Sequence, residues 1–388
     1  MSSPGDPTRW QSTAAWHELL AGLGELERTF LEGDRAVQGE AAIVDGYRML
    51  TTTLGVGLDT YLYAEPSRPV FIETLTPFRR DRRWGGDNTD AWYSYAPIDP
   101  HRSYLVSGNR GDSVYFSLTV YNEPSPGAWS DRVIGVLNDS DLDIDENGDF
   151  QLLLAPDRPA DWDGPCIVLD DDAAVAFTRD YQSDPVQGRP VAWRIEALDP
   201  PDPIVRSDEA TAAALRSVLT WLRTMTAIVP TRLGERVEDG RLELGHNVAQ
   251  VANAFADPYQ VPDFNFGWSA TDACYSFGSY DLEPDEALVV THRPPDCRFW
   301  NVIAWNQFMA GHTATDGRTS VNMSTARPNS DGTVTVVIAR HLLEHPNAIT
   351  TLDQPRGSLA FRWFLPDVVP DRPDVQLVPA ARAPRGIR

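Results

Sequence analysis

One stretch of this chain occurs twice. Residues 84–95 read WGGDNTDAWYSY and residues 266–277 read FGWSATDACYSF, identical at six of twelve positions at an offset of 182. The second copy then gains Gly278 and Ser279, and the matching continues at an offset of 184. Ile98-Asp99-Pro100 answers to Leu282-Glu283-Pro284, Asp112 to Asp296, and the run Val114 to Asn122 to Arg298 to Asn306. Asn138 answers to Asn322, Gly148 to Gly332, and Ala176-Phe177 to Ala360-Phe361. A repeat that preserves strand and turn positions over such a distance predicts one folding unit used twice.

The repeated stretches are short β-branched or aromatic runs divided by turn residues, the pattern of antiparallel strands. The predicted fold is mainly β with helical additions: two tandem jelly-roll-like β-sandwiches from an internal duplication, each preceded by α-helices. The expected boundaries are a helical segment over 1–80, a first sandwich over 81–205, a helical connector over 206–262 and a second sandwich over 263–388. Asp6-Pro7 is a helix-start signal, and Trp16, Leu19, Leu20, Leu23, Leu26 and Phe30 follow at helical spacing. A second helix is expected over 38–60, with Ile43, Tyr47, Leu50, Leu54 and Leu58 on its core face. Ser207, followed by Asp208 and Glu209, caps a third, which Pro230 stops, and a shorter helix is expected from Leu244 to Phe255.

Composition removes several mechanisms. The net charge of −23 opposes nucleic acid and anionic membrane as partners. The chain contains no lysine, so a Schiff-base lysine, a P-loop lysine and a kinase lysine are excluded. Cys166, Cys274 and Cys297 form an odd set without CxxC spacing, as in a reducing compartment. The N-terminus MSSPGDPTRW lacks a secretory pattern, and no apolar run reaches the roughly 18 residues that span a bilayer. The expectation is a cytoplasmic protein.

The runs GGDNTDAWYSYAPIDPHRSYLVSGNRGD, RFWNVIAWNQFMAGHTATDGRTSVN, SDGTVTVVIA and LAFRWFLP resemble bacterial proteins of the family "domain of unknown function 1214" over most of residues 84–369. The resemblance implies tandem β-sandwich domains and carries no established reaction. Such proteins often have an Asn-Trp pair late in the last domain, where this chain has Asn347-Ala348.

Three motifs are discounted. His341-Leu342-Leu343-Glu344-His345 spells an inverted zinc-protease pattern but follows a strand and is broken by Pro346. Asp141, Asp143, Asp145 and Asn147-Gly148 start like a calcium loop but have Leu154 where the bidentate Glu belongs. Arg110-Gly111-Asp112 spells an adhesion tripeptide in a chain without a secretion signal. No metal and no cofactor are expected.

Duplication divides the remaining candidates. Asp90/Asp272 and Tyr93/Tyr275 recur and suit a shared structural task, the aspartates capping turns. Asp87-Asn88 correspond to Ser269-Ala270, so they are free to specialise. Trp84, Trp268 and the arginines Arg79, Arg80, Arg82 and Arg83 stand close by. Copy two has its own set in Trp300, Trp305, Asn306, His312, Asp316 and Arg318. The expected catalytic groups are Asp87, Asp316, His312 and Arg318; the expected ligand contacts are Trp84, Asn88, Asp90, Tyr93, Trp268, Asp272, Tyr275, Trp305 and Asn306. Carboxylate, amide, arginine and tryptophan together suit acid–base hydrolysis or elimination on a polar, carbohydrate-like small molecule. The alternatives are a non-catalytic ligand-binding protein and a structural protein assembling as a homo-oligomer.

Overall fold

The computed structural model describes residues 10–32, 37–79, 82–203, 206–229, 244–245, 248–249, 251–260, 267–313 and 317–387. Three long helices pack together: α1 (Gln11–Glu27), α2 (Glu40–Gly57) and α3 (Asp208–Ile228). α1 and α2 each run on into one π-helical turn, Arg28–Glu32 and Leu58–Leu62. The Ser207 side chain caps α3 by accepting from the Ala210 N–H, as its sequence predicts. Asp208 serves a second helix: its carboxylate accepts the Gln11 and Ser12 N–H groups, each at 2.9 Å, at the start of α1. α1 and α3 then run parallel, tied by Glu18–Arg216 and Glu25–Arg223, each at 2.8 Å. The Asp6-Pro7 signal and Pro230 lie outside the described residues. No described helix is long and apolar enough to cross a membrane.

The first unit contains β1 (Ile72–Leu75), β2 (Ala91–Pro97), β3 (Tyr104–Asn109), β4 (Tyr115–Asn122), β5 (Val133–Asn138), β6 (Asp149–Ala155), β7 (Cys166–Val168), β8 (Ala173–Tyr181) and β9 (Ala192–Ala197). The second contains β10 (Leu244–Gly245), β11 (Val248–Ala249), β12 (Ala254–Phe255), β13 (Tyr259–Gln260), β14 (Ala273–Asp281), β15 (Glu286–His292), β16 (Phe299–Trp305), β17 (Ser320–Asn322), β18 (Val334–Ala339), β19 (Ala348–Thr350), β20 (Arg356–Phe364) and β21 (Asp374–Pro379). The repeat in sequence is a repeat in topology. Strand order β2-β8-β4-β5 in one unit is β14-β20-β16-β17 in the other, and β7-β6-β3-β9 is β19-β18-β15-β21. Even the unusual parallel pair recurs, as β6–β7 and β18–β19. β1 joins the first unit's sheet and β10–β13 join the second's, so both sheets take in residues N-terminal to 81 and 263.

Three cores result. Each sandwich closes on its own apolar interior, around Val106, Phe116 and Leu152 in the first and Val302, Ile338 and Phe361 in the second. The third core lies between the sandwiches and takes in the helices. There the outward faces of β2, β4 and β8 meet those of β14, β16 and β20, with Trp221 of α3 and Met49 of α2. Gly57 lets α2 approach α3, since a Cβ there would sit 2.7 Å from the Trp221 ring.

Two helical expectations fail. Leu244 to Phe255 is not a helix: its described residues include three short strands, and Asn253 takes a left-handed φ of 65° that ends any helical run. Asn253 is held there by exchanging hydrogen bonds with the Asp281 backbone. The α1 and α2 stripes are also only partly core. Leu19, Leu26, Phe30 and Leu50 are buried, but Trp16, Leu20, Ile43 and Tyr47 face outward. Periodicity marks a stripe wider than the face that α3 covers.

Candidate functional site

The two units meet through residues that the repeat makes equivalent. In the first, Tyr93 pairs with Arg179, which pairs with Ser117; in the second, Tyr275 pairs with Arg362, which pairs with Asn301. Arg179 and Arg362 are therefore twins at an offset of 183. The alignment of Ala176-Phe177 with Ala360-Phe361 is one residue out of register: Ala176 and Phe177 correspond to Leu359 and Ala360. A bulge where β8 pairs with β4 beside Tyr121 and Asn122, absent where β20 pairs with β16, shifts the offset by one and conceals the arginine pair from a sequence comparison.

Both arginines line a cavity between the sandwiches and are almost wholly buried, 3 % and 5 % exposed. Neither has a carboxylate within ion-pair distance among the described residues. Neutral oxygens anchor them instead. Arg179 donates to the Tyr121 hydroxyl at 2.6 Å, the Thr119 hydroxyl at 3.0 Å and the Trp268 carbonyl at 2.5 Å, and lies over the Phe177 ring. Arg362 donates to the Gly86 and Asp87 carbonyls and lies over the Trp305 ring at 5.0 Å. Burial works against the Arg179 charge, but the tyrosines around it, Tyr121 foremost, hold its guanidinium above the ordinary value. Of five guanidinium N–H donors, these anchors occupy three on Arg179 and two on Arg362.

Tyrosines complete the polar lining. The Tyr93 and Tyr181 hydroxyls share a hydrogen bond of 2.8 Å, and the Tyr275 hydroxyl accepts from the Ala270 N–H at 2.8 Å. Burial raises all three above the usual phenol range, so they stay protonated donors. The Tyr275 proton has no acceptor among the described residues. Four tryptophans, Trp84, Trp129, Trp221 and Trp268, form one cluster with every pair of ring centroids 5.4–6.4 Å apart. Three of them line the cavity, which encloses about 70 Å³.

Two segments that differ between the copies also meet here. Gly85 and Gly86 turn the chain at φ 67° and 73°, and a Cβ on Gly86 would meet Trp305 and Met309 at 3.3 Å. The Gly86 N–H donates to the Met309 carbonyl at 2.9 Å, and the Trp305 indole to the Asp87 carbonyl at 2.8 Å. The Asp87 carboxylate faces Arg83 at 2.7 Å and accepts the Gly311 N–H at 2.6 Å. It is a buried ion pair locking one loop to the other.

Residues 280–368 match the family described as "Protein of unknown function (DUF1214)". This is the family that the sequence resembles. The DUF1214 segment holds Trp305 and Arg362, while Tyr93, Arg179 and Tyr275 lie outside it, so the cavity is built from both sides of its boundary. A solved structure of an uncharacterised protein from Burkholderia cenocepacia shares 23 % identity, with 96 % of this chain and 98 % of that one covered and a TM-score of 0.83. The VPA0106 protein from Vibrio parahaemolyticus shares 12 % identity, covering 85 % and 96 %, with a TM-score of 0.48. The first likeness is one of fold. No curated protein matches the chain.

The other expected site residues scatter. Asp316 lies outside the described residues, as does Arg80. Arg318 of the DUF1214 segment is exposed and donates to the Pro346 carbonyl, away from the cavity. His312 is half-buried beside Asp45 of α2. Asn306 shapes its own loop by accepting from Phe308 and Ala310, and donates to Asp45 at 3.1 Å. Asn88 and Asn301 exchange amide hydrogen bonds of 2.7 and 3.3 Å across the units. The repeated aspartates are cross-ties, not caps of their own turns. Asp90 accepts from Asn301 at 2.8 Å and from Ser320 at 3.2 Å, while Asp272 accepts from Tyr115. Desolvation raises both carboxyls toward the neutral acid. The HxxEH residues diverge, with His341 and Glu344 exposed and His345 buried. Among the described residues no group of three or more His, Cys, Asp or Glu is placed to hold a metal ion.

Proposed function

We propose that this protein binds a small anionic molecule in the cavity between its sandwiches. One observation carries the reading: two buried guanidinium groups face one cavity, and among the described residues no carboxylate lies within ion-pair distance of either. Asp90 and Asp272 lie within electrostatic reach of Arg362 and Arg179, but burial pushes both carboxyls toward the neutral acid. A buried charge without a counter-charge is costly, by several kcal/mol even after relaxation. Neutral carbonyl and hydroxyl anchors hold the arginines in place without cancelling that charge, which suits a ligand that supplies it. The one carboxylate in the lining, Asp87, belongs to Arg83. Acid–base hydrolysis of a carbohydrate-like substrate draws less support, because it needs two free carboxyl groups and room for a sugar. A cavity of ~150 Å³ accommodates benzene, and this one is about 70 Å³.

The test is thermal stability across a panel of anions at constant ionic strength. At least one small anion should raise the melting temperature saturably in the native protein and not in Arg362→Gln. If every anion shifts the two proteins equally, the cavity is not an anion site.

A further inference from the structure

We infer that the ligand is a short-chain carboxylate rather than an inorganic oxyanion. This rests on the anion-binding reading above and narrows it to a chemical class. An inorganic phosphate or sulfate presents oxygens in four directions, and each buried oxygen left without a donor carries its full desolvation penalty. Sites for such ions surround them with backbone N–H groups, at helix N-termini or nests. This cavity is built differently. Its charged donors are Arg179 and Arg362, with the Tyr275 hydroxyl and one proton of the Tyr93–Tyr181 pair beside them. The Gly86 N–H that borders it is already bonded to the Met309 carbonyl. The rest of the lining includes Trp84, Trp268, Phe177, Phe277, Leu75 and Met309. Against those surfaces a tetrahedral oxyanion would turn bare oxygens toward apolar atoms.

A carboxylate matches this division. Its two oxygens accept in one plane, which suits the planar fork of a guanidinium, and its hydrocarbon end needs no donors. Aromatic walls then receive that end, and each CH₂ they bury adds to the affinity. The space of about 70 Å³ limits the body to a few carbons. Both copies build the site: each contributes one arginine from the same topological position, and the apolar wall comes from both, with Trp84, Phe177 and Leu75 from the first and Trp268, Phe277 and Met309 from the second.

Titration calorimetry on the full chain with sodium propionate, inorganic phosphate and propionamide separates the outcomes. The expected result is saturable propionate binding, at least tenfold weaker binding of phosphate and of propionamide, and a tenfold or greater loss of propionate affinity in Arg362→Gln and in Arg179→Gln. Phosphate binding as tightly as propionate overturns the carboxylate assignment and leaves the anion site standing. Propionamide binding as tightly as propionate, or no anion binding at all, overturns both. Should the arginine variants fail to fold, Ser269→Phe fills the cavity wall and leaves both arginines in place. Undiminished propionate binding in that variant would also remove the assignment to this cavity.

Discussion

The two sandwiches solve one packing problem with opposite residues. In the first, Gly108 on β3 faces Phe150 on β6; at the same places in the second, His292 on β15 faces Val334 on β18. The bulk has moved across the strand pair. A Cβ on Gly108 would lie 2.6 Å from the Phe150 ring and 2.4 Å from the Ala192 carbonyl, so glycine is required there. His292 instead stands against Trp300 and Phe361 at 4.7 and 4.6 Å. Nearby, the first sandwich buries Asp180 where the second has Trp363. What the repeat preserves is volume and register, while the residue types are free to change.

The largest expected effect concerns the loops that lead into β2 and β14, where the first unit has Asp87 and the second Ser269. Arg83→Met should destabilise the protein by about 3–5 kcal/mol, because it leaves Asp87 buried and unpaired. Arg83→Met with Asp87→Leu should recover most of that loss in chemical denaturation. If the single variant is as stable as the native protein, the ion pair is not what holds this loop.

Next come the two buried titratable groups. Burial pushes His292 from its ordinary 6.5 down to about 3, so the folded chain refuses a proton that the unfolded chain accepts. Stability on its account is complete above pH 6.5 and is lost as pH falls toward 3. Burial pushes Asp180 up to about 6, so there the folded chain keeps a proton that the unfolded chain releases. Its contribution is complete below its ordinary 3.8 and is lost as pH rises toward 6. Between pH 4 and 6 the trends oppose, each at about 1.4 kcal/mol per pH unit. Relative to the native protein, His292→Leu should gain about 3 kcal/mol on going from pH 6 to 4, and Asp180→Asn should lose a similar amount. Parallel pH profiles for the three proteins would contradict both assignments.

The smallest effect tests the reciprocity of the interface. Asn301→Ala and Tyr115→Phe each remove a donor to the opposite unit's aspartate and should each cost about 1–2 kcal/mol. A large cost from one and none from the other would mean that only one cross-tie bears on stability.

Several features were readable from the residues. The duplicated strands, the turn glycines Gly148 and Gly332 and the Ser207 cap are local or periodic signals, and all are in the structure. The two segments singled out because the copies differ, Trp84 to Asn88 and Trp305 onward, do pack on one another. Their residues take structural parts that a sequence does not reveal, since a carboxylate's role depends on which partner reaches it. Arg179 and Arg362 are hidden in the sequence because the matching Ala-Phe dipeptides draw the alignment one residue out of place.

The sequence by itself determined the repeat unit, its strands and its turns, because alternation, β-branching and turn chemistry act over a few residues. Tertiary structure alone decided that the outer faces of two sheets close on each other and bury two arginines that, among the described residues, have no carboxylate within ion-pair distance. Burial and the distance between charges arise only when segments some 180 residues apart meet, and these set the chemistry of the cavity.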